Sequence, residues 1–229
     1  LRISGGSSDK AFDDAVAGIR NLEKYDDDYN LLTVVSKGNV AHAREIYRYL
    51  RDNFSTRYHQ YIECTGPRDE IAAEEWGAFL CDLFDEWAKK DAYTISIRLF
   101  DSIVSMLVRG FHTQCSFAGR CDAYLVVEHD GSVYPCDFHV REDLKLGNVM
   151  THTWEEMLES GIYRDFAAAK CGSLPEECLS CEYAAFCNGD CPRNRGTGFG
   201  PHKRSMLCAG WKKFFAHTLE KFDSIVRAM

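Results

Sequence analysis

The chain has 229 residues, 45% of them hydrophobic, and a formal net charge of −8. That suffices for one large domain or two small ones with real cores, and the acidic balance argues against a nucleic-acid partner. No apolar run approaches the ~20 residues of a membrane span, and the opening LRISGGSSDK has no apolar core of an export signal, so a reducing, cytoplasmic setting is expected.

In chain order, FDDAVAGIRNLEKY carries Phe12, Val16, Ile19 and Leu22 near helical spacing. NLLTVVS reads as a buried strand, and VAHAREIYRYLRDNF as a helix with Ala43, Ile46, Tyr47 and Leu50 on one face. YHQYIEC is a second strand, which completes a βαβ unit and so predicts parallel pairing. AAEEWGAFLCDLFDEWAKK is an amphipathic helix whose aromatic stripe is core packing. YLVVEHDGSVYPC predicts a hairpin around Asp130 and Gly131. THTWEEML predicts a short helix with a capping box between Thr153 and Glu156. Residues 170–207 are rich in Gly, Pro, Cys and charge and cannot bury much apolar area. The GTGFG run at 196–200 lacks the preceding strand of a dinucleotide site and reads as a loop. The chain closes with a helix carrying Trp211, Phe214, Phe215, Leu219, Phe222 and Ile225.

Eleven cysteines cannot all pair as disulfides within one chain. Eight of them, Cys115, Cys121, Cys136, Cys178, Cys181, Cys187, Cys191 and Cys208, lie in the second half and make two complete four-ligand sets. Clustered thiols in a reducing compartment point to metal, and four-thiolate sets accept zinc as well as iron–sulfur clusters. Cys171 is an extra, read as a free thiol, and Cys64 and Cys81 read as structural. The histidines show no spacing that suggests a metal site.

The order of these residues is C-x9-G-x4-C, then C-x2-C-x5-C-x3-C, then a last cysteine. This pattern resembles the SPASM extension of radical S-adenosylmethionine (SAM) enzymes. YLVVEHDGSVYPCDFHV, LKLGNV and CPRNR narrow the resemblance to the anaerobic sulfatase-maturating enzymes, and YNLLTVVS, YIEC and SIRLFDSIV are similar to the second half of that family's partial (β/α) barrel. The implied fold is α/β: a remainder of the partial radical SAM barrel over 1–110, then a small α+β SPASM domain over 111–229 with cysteine-rich metal-binding loops and a C-terminal helix.

The resemblance implies two auxiliary [4Fe–4S] clusters, one held by Cys115, Cys121, Cys136 and Cys191, the other by Cys178, Cys181, Cys187 and Cys208. It places a candidate general base at Asp137 and SAM contacts at Arg2 and Thr65. The implied reaction oxidises a cysteine or serine of a sulfatase polypeptide to Cα-formylglycine: a 5′-deoxyadenosyl radical removes a Cβ hydrogen, and one more electron and a proton then leave. An external electron donor such as a flavodoxin or ferredoxin is implied, and no membrane partner. The C-x3-C-x2-C signature that holds the SAM-cleaving third [4Fe–4S] cluster is not among these residues, so the chain is expected to be part of a longer protein. Asp190 stands where the family usually has glycine, and is expected to face solvent. A SPASM maturase of a ribosomal peptide and a non-catalytic zinc-binding module are the alternatives.

Overall fold

The computed structural model describes residues 8–25, 28–65, 70–172, 174–196 and 203–228. Arg2 and most of the GTGFG run lie outside them. The chain divides into two compact units, Leu1–Ile71 with Phe79–Phe100, and Ala72–Ala78 with Asp101–Met229.

The first unit is built on a parallel sheet. Helix α1 (Ser8–Lys24) precedes strand β1 (Leu31–Val35), helix α2 (Ala43–Asn53) and strand β2 (Tyr58–Glu63). Most of helix α3 (Ala73–Trp87) and strand β3 (Ser96–Ile97) follow. The strand order is β1-β2-β3, with Leu31 opposite His59 and Tyr58 opposite Ser96. Parallel pairing follows from the helical crossovers, as the βαβ pattern predicts. Tyr47 of α2, Phe79, Leu80, Leu83, Phe84 and Trp87 of α3, and Phe100 form the core. The Trp87 indole N–H donates to the carbonyl of Ile95 at 2.8 Å, so this buried ring has its polar partner.

The buried-strand expectation for NLLTVVS needs correction. β1 is only half buried: Leu31 and Val35 point inward, while Leu32 and Val34 are exposed. It pairs with β2 alone among the described residues, and its alternating burial shows one face on the core and the other uncovered. The apolar stripe of α1 is also largely open; Phe12 is exposed and meets the ring of Tyr49 at 6.1 Å.

The second unit begins with the first turn of α3 and most of helix α4 (Arg98–Arg109). A small antiparallel sheet follows, of β4 (Val126–Val127), β5 (Ser132–Tyr134) and β6 (Gly147–Asn148), in that order. The β4–β5 hairpin turns through Gly131 at φ 81°, where a side chain would meet the Asn148 amide at 2.8 Å. Helices α5 (Trp154–Leu158), α6 (Gly161–Gly172), α7 (Glu176–Leu179), α8 (Ala184–Cys187) and α9 (Cys208–Arg227) complete the unit. The Thr153 hydroxyl accepts from the Glu156 N–H and the Glu156 carboxylate accepts from the Thr153 N–H, the expected capping box. Val133, Leu146, Met157 and Tyr163 pack the small core behind the sheet.

Helix α9 carries Trp211, Phe214, Phe215 and Phe222 inward. Its first turn crosses the first turn of α3 at two glycines: a Cβ on Gly77 would lie 2.7 Å from the Gly210 backbone. Trp76 and Trp211 meet edge to face beside this crossing, centroids 5.8 Å apart. The close approach fixes the start of α9, which is Cys208.

Candidate metal centre

Cys115 and Cys121 lie in the segment between α4 and β4, and Cys136 ends the hairpin. Cys178 sits in α7, Cys181 just beyond it, and Cys187 ends α8. Three residues separate Cys187 from Cys191, and all three have left-handed backbone: Asn188 at φ 45°, Gly189 at 72° and Asp190 at 64°. Two of them carry side chains, for which this conformation is costly. The run reverses the chain between the two cysteines.

The reversal is held by buried polar side chains. Arg195, 2% exposed, donates to the carbonyls of Gly189, Asn188 and Asp190 and to that of Lys170. Asp190 is fully buried, not solvent-facing as the sequence suggested. Its carboxylate accepts from the Cys191 N–H at 2.6 Å, the Asn194 amide at 3.0 Å and the Ser205 hydroxyl at 2.7 Å. The Asn188 amide donates to the carbonyl of Phe117 at 2.6 Å. These bonds explain the correction: an aspartate here satisfies three donors that a glycine could not. Lys170, fully buried at the end of α6, donates to the carbonyls of Cys115 at 2.6 Å and Ser116 at 2.8 Å.

The thiols fall into two groups by their electrostatic neighbours. Cys121 feels Cys115, Cys136 feels Cys121, and Cys191 feels Cys115. Cys187 feels Cys208 and Cys178, Cys178 feels Cys208 and Cys181, and Cys208 feels Cys181. The second four line one open cavity, walled by Trp211 and Phe215 and edged by Arg204 and Lys212. Burial pushes the thiols of Cys136, Cys187 and Cys191 up to about 12, with Asp137 beside the first and Asp190 beside the other two adding to the shift. Burial also raises Cys121, Cys178 and Cys208. Such thiols stay protonated unless a cation takes the proton's place.

Among the described residues no three Cys, His, Asp or Glu side chains are placed to hold a single metal ion. The second group spreads round a cavity instead. Among the described residues, none of the eleven cysteines is in a disulfide. Cys171, in α6, directs its thiol at the Asn188 carbonyl, 3.7 Å away, and also acts on Cys121.

Asp137 opens a 3-10 turn over Asp137–His139 and is exposed, with its carboxylate 3.5 Å from the Cys136 thiol. The next residue, Phe138, lies under the Arg193 guanidinium at 4.0 Å. Thr65 is half-buried just past the C-terminal end of β2. Arg2 cannot be compared, since it is outside the described residues. Sequence reasoning missed Lys170 and Arg195. The available signal was Asn-Gly-Asp between two cysteines, three residue types that tolerate left-handed backbone.

The SPASM iron–sulfur cluster-binding domain family matches residues 115–182. The cysteine-type anaerobic sulfatase-maturating enzyme of Clostridium novyi is 29% identical over 96% of this chain and 61% of its own length. The serine-type enzyme of Bacteroides thetaiotaomicron is 29% identical over 93% of this chain and 57% of its length. The chain thus spans about three fifths of these relatives. Among solved structures, native anSMEcpe with bound AdoMet and Kp18Cys peptide superposes with a TM-score of 0.87 at 27% identity, over 95% of this chain and 63% of that one. Over nearly its whole length, in sequence and in fold, the chain matches the C-terminal portion of the anaerobic sulfatase-maturating enzymes, radical SAM proteins with a SPASM domain.

Proposed function

We propose that the chain is the cluster-bearing portion of an enzyme that oxidises a cysteine or serine of a sulfatase to Cα-formylglycine by radical SAM chemistry. The observation that carries this reading is the division of the thiols. The thiol that acts on Cys191 is Cys115, those that act on Cys187 are Cys178 and Cys208, and the left-handed run 188–190 reverses the chain between the two. In this reading Cys115, Cys121, Cys136 and Cys191 hold one [4Fe–4S] cluster and Cys178, Cys181, Cys187 and Cys208 hold another. The residues suit the groups: four thiols surround a cavity in the second set, and a four-thiolate donor set is what such clusters take. Bound there, the clusters supply one-electron acceptance and release.

The chain's own contribution is orientation and proton handling. Asp137 stands at the first set, tied to it through Cys136. As a carboxylate within reach of solvent it accepts the proton that leaves as the substrate side chain is oxidised. Arg2 and Thr65 serve as SAM contacts; the position of Thr65 past a strand's C-terminal end is where barrel sites are built. The partner is a sulfatase polypeptide, and an external donor of flavodoxin or ferredoxin type supplies electrons. A peptide-bound relative of the same fold supports a polypeptide substrate.

The test is direct. The full-length protein, reconstituted anaerobically, is incubated with SAM, a reductant and a peptide bearing the C-x-P-x-R sulfatase motif. Mass spectrometry should find the aldehyde and chromatography 5′-deoxyadenosine. No modification of any such peptide would reject the reading.

A further inference from the structure

Lys170 is fully buried, and among the described residues its side-chain nitrogen bonds to the carbonyls of Cys115 and Ser116; burial lowers its pKa, and the acidic groups around it oppose that shift. No carboxylate of the described residues forms an ion pair with it. Carbonyls satisfy its donors but carry no countercharge, and a buried charge without one is costly. The groups around it able to become negative are Cys121, Asp190, Cys191 and Cys171. Backbone bonds bind this end of α6 to the same place. The Cys121 N–H donates to the carbonyl of Ala167, one turn before Lys170, at 3.1 Å. Arg195, four residues beyond Cys191, donates to the carbonyl of Lys170 itself at 2.7 Å. Two of the four cysteines in the first set, Cys115 and Cys121, are therefore bonded to the C-terminal half of one helix, and Arg195 ties the segment after Cys191 to the same place.

We propose that Lys170 is the built-in counter-charge of the first cysteine set and raises the reduction potential of the cluster held there. The inference rests on the ligand assignment given above. Four thiolates round a cluster carry excess negative charge in a poorly screened interior, and adding an electron adds more. A fixed ammonium at the Cys115 backbone favours the reduced state. Lys170 is fully buried and bonds to backbone carbonyls, so its assigned role is charge-setting rather than catalytic. The second set has Arg204 and Lys212 at the edge of its open cavity instead, where solvent screens them.

Two substitutions separate charge from hydrogen bonding. Lys170→Gln keeps a donor for the carbonyls and removes the charge; Lys170→Arg keeps both. Redox titration of the full-length holoenzyme, followed by electron paramagnetic resonance, reads each cluster's midpoint, with Cys121→Ala identifying the signal of the first set. The expected result is a lower midpoint for the first cluster in K170Q, an unchanged second cluster, and a midpoint near wild type in K170R. A wild-type midpoint in K170Q, or equal lowering of both clusters, overturns the proposal. Should K170Q fail to load the first cluster, loading of K170R at the wild-type midpoint supports it, and failure of K170R overturns it. If Cys121→Ala keeps both clusters, the ligand assignment itself is wrong and the proposal falls with it.

Discussion

Arg195 donates through Nη1 to the carbonyl of Lys170 at 2.7 Å, joining two buried cations through one stretch of backbone. The same guanidinium holds the carbonyls of Asn188, Gly189 and Asp190, the three left-handed residues between Cys187 and Cys191. Its charge acts on Cys121 in one group and Cys178 in the other. A single side chain therefore supports the reversal that sends neighbouring cysteines to different sets.

Removing it should be severe. Arg195→Met removes the donor from the buried carbonyls of Gly189, Lys170 and Asp190 and releases the strained turn, a loss of about 3–5 kcal/mol by analogy with broken buried charge networks. Chemical denaturation of the anaerobically prepared protein measures this. Arg195→Lys should recover little, because one ammonium cannot span a fork of four acceptors. Full recovery in the lysine variant would show that charge alone suffices.

The crossing of α3 and α9 offers a matched pair of glycines. Gly77→Ala forces a methyl to within 2.7 Å of the Gly210 backbone, which cannot move as a side chain would. The expected cost is about 1–3 kcal/mol, with disturbed loading at Cys208. Gly18→Ala, inside α1 with nothing within 4 Å, should instead stabilise by about 1 kcal/mol through helix propensity. Thermal unfolding of the two variants should shift in opposite directions.

His59 of β2 predicts acid sensitivity in the first unit. It is 1% exposed between the rings of Tyr47 and Tyr61, and burial lowers it from 6.5 to about 4. The unfolded chain therefore binds the proton more readily than the folded one. Its contribution to stability is complete above pH 6.5 and is lost as pH falls toward 4, to the extent of about 3 kcal/mol. His59→Phe should flatten the pH dependence of unfolding across that window. An unchanged slope would reject the assignment.

Much of this architecture is legible in the residues themselves. The aromatic stripe of α3, the βαβ unit, the Asp130–Gly131 hairpin and the Thr153–Glu156 box all depend on local periodicity or turn chemistry, and each appears where the pattern puts it. The buried state of Asp190, Lys170 and Arg195 is not legible, because polar residues in a Gly- and Cys-rich segment normally face water. Only tertiary bonds to distant carbonyls, such as that of Lys170 to Cys115, reverse that expectation. The exposed Leu32 and Val34 of β1 fail for a related reason: a β-branched run does not say whether both faces of the strand are covered.

Asp137→Asn tests proton removal. In the full-length enzyme with both auxiliary clusters loaded, aldehyde formation should fall about 100-fold or more, the usual worth of a positioned base. Iron content and unfolding should not change, since Asp137 is exposed and bonds only locally. Near wild-type turnover would remove it from the mechanism.

The central claim is that Cys191 belongs with Cys115, Cys121 and Cys136 rather than with the adjacent Cys178, Cys181 and Cys187. Anomalous scattering at the iron edge from crystals of the anaerobically reconstituted protein reads this directly. Two separate iron clusters are predicted, with the Cys191 sulfur on the one that Cys115 binds and Cys208 completing the other. A single metal centre shared by Cys178 and Cys191 would contradict it.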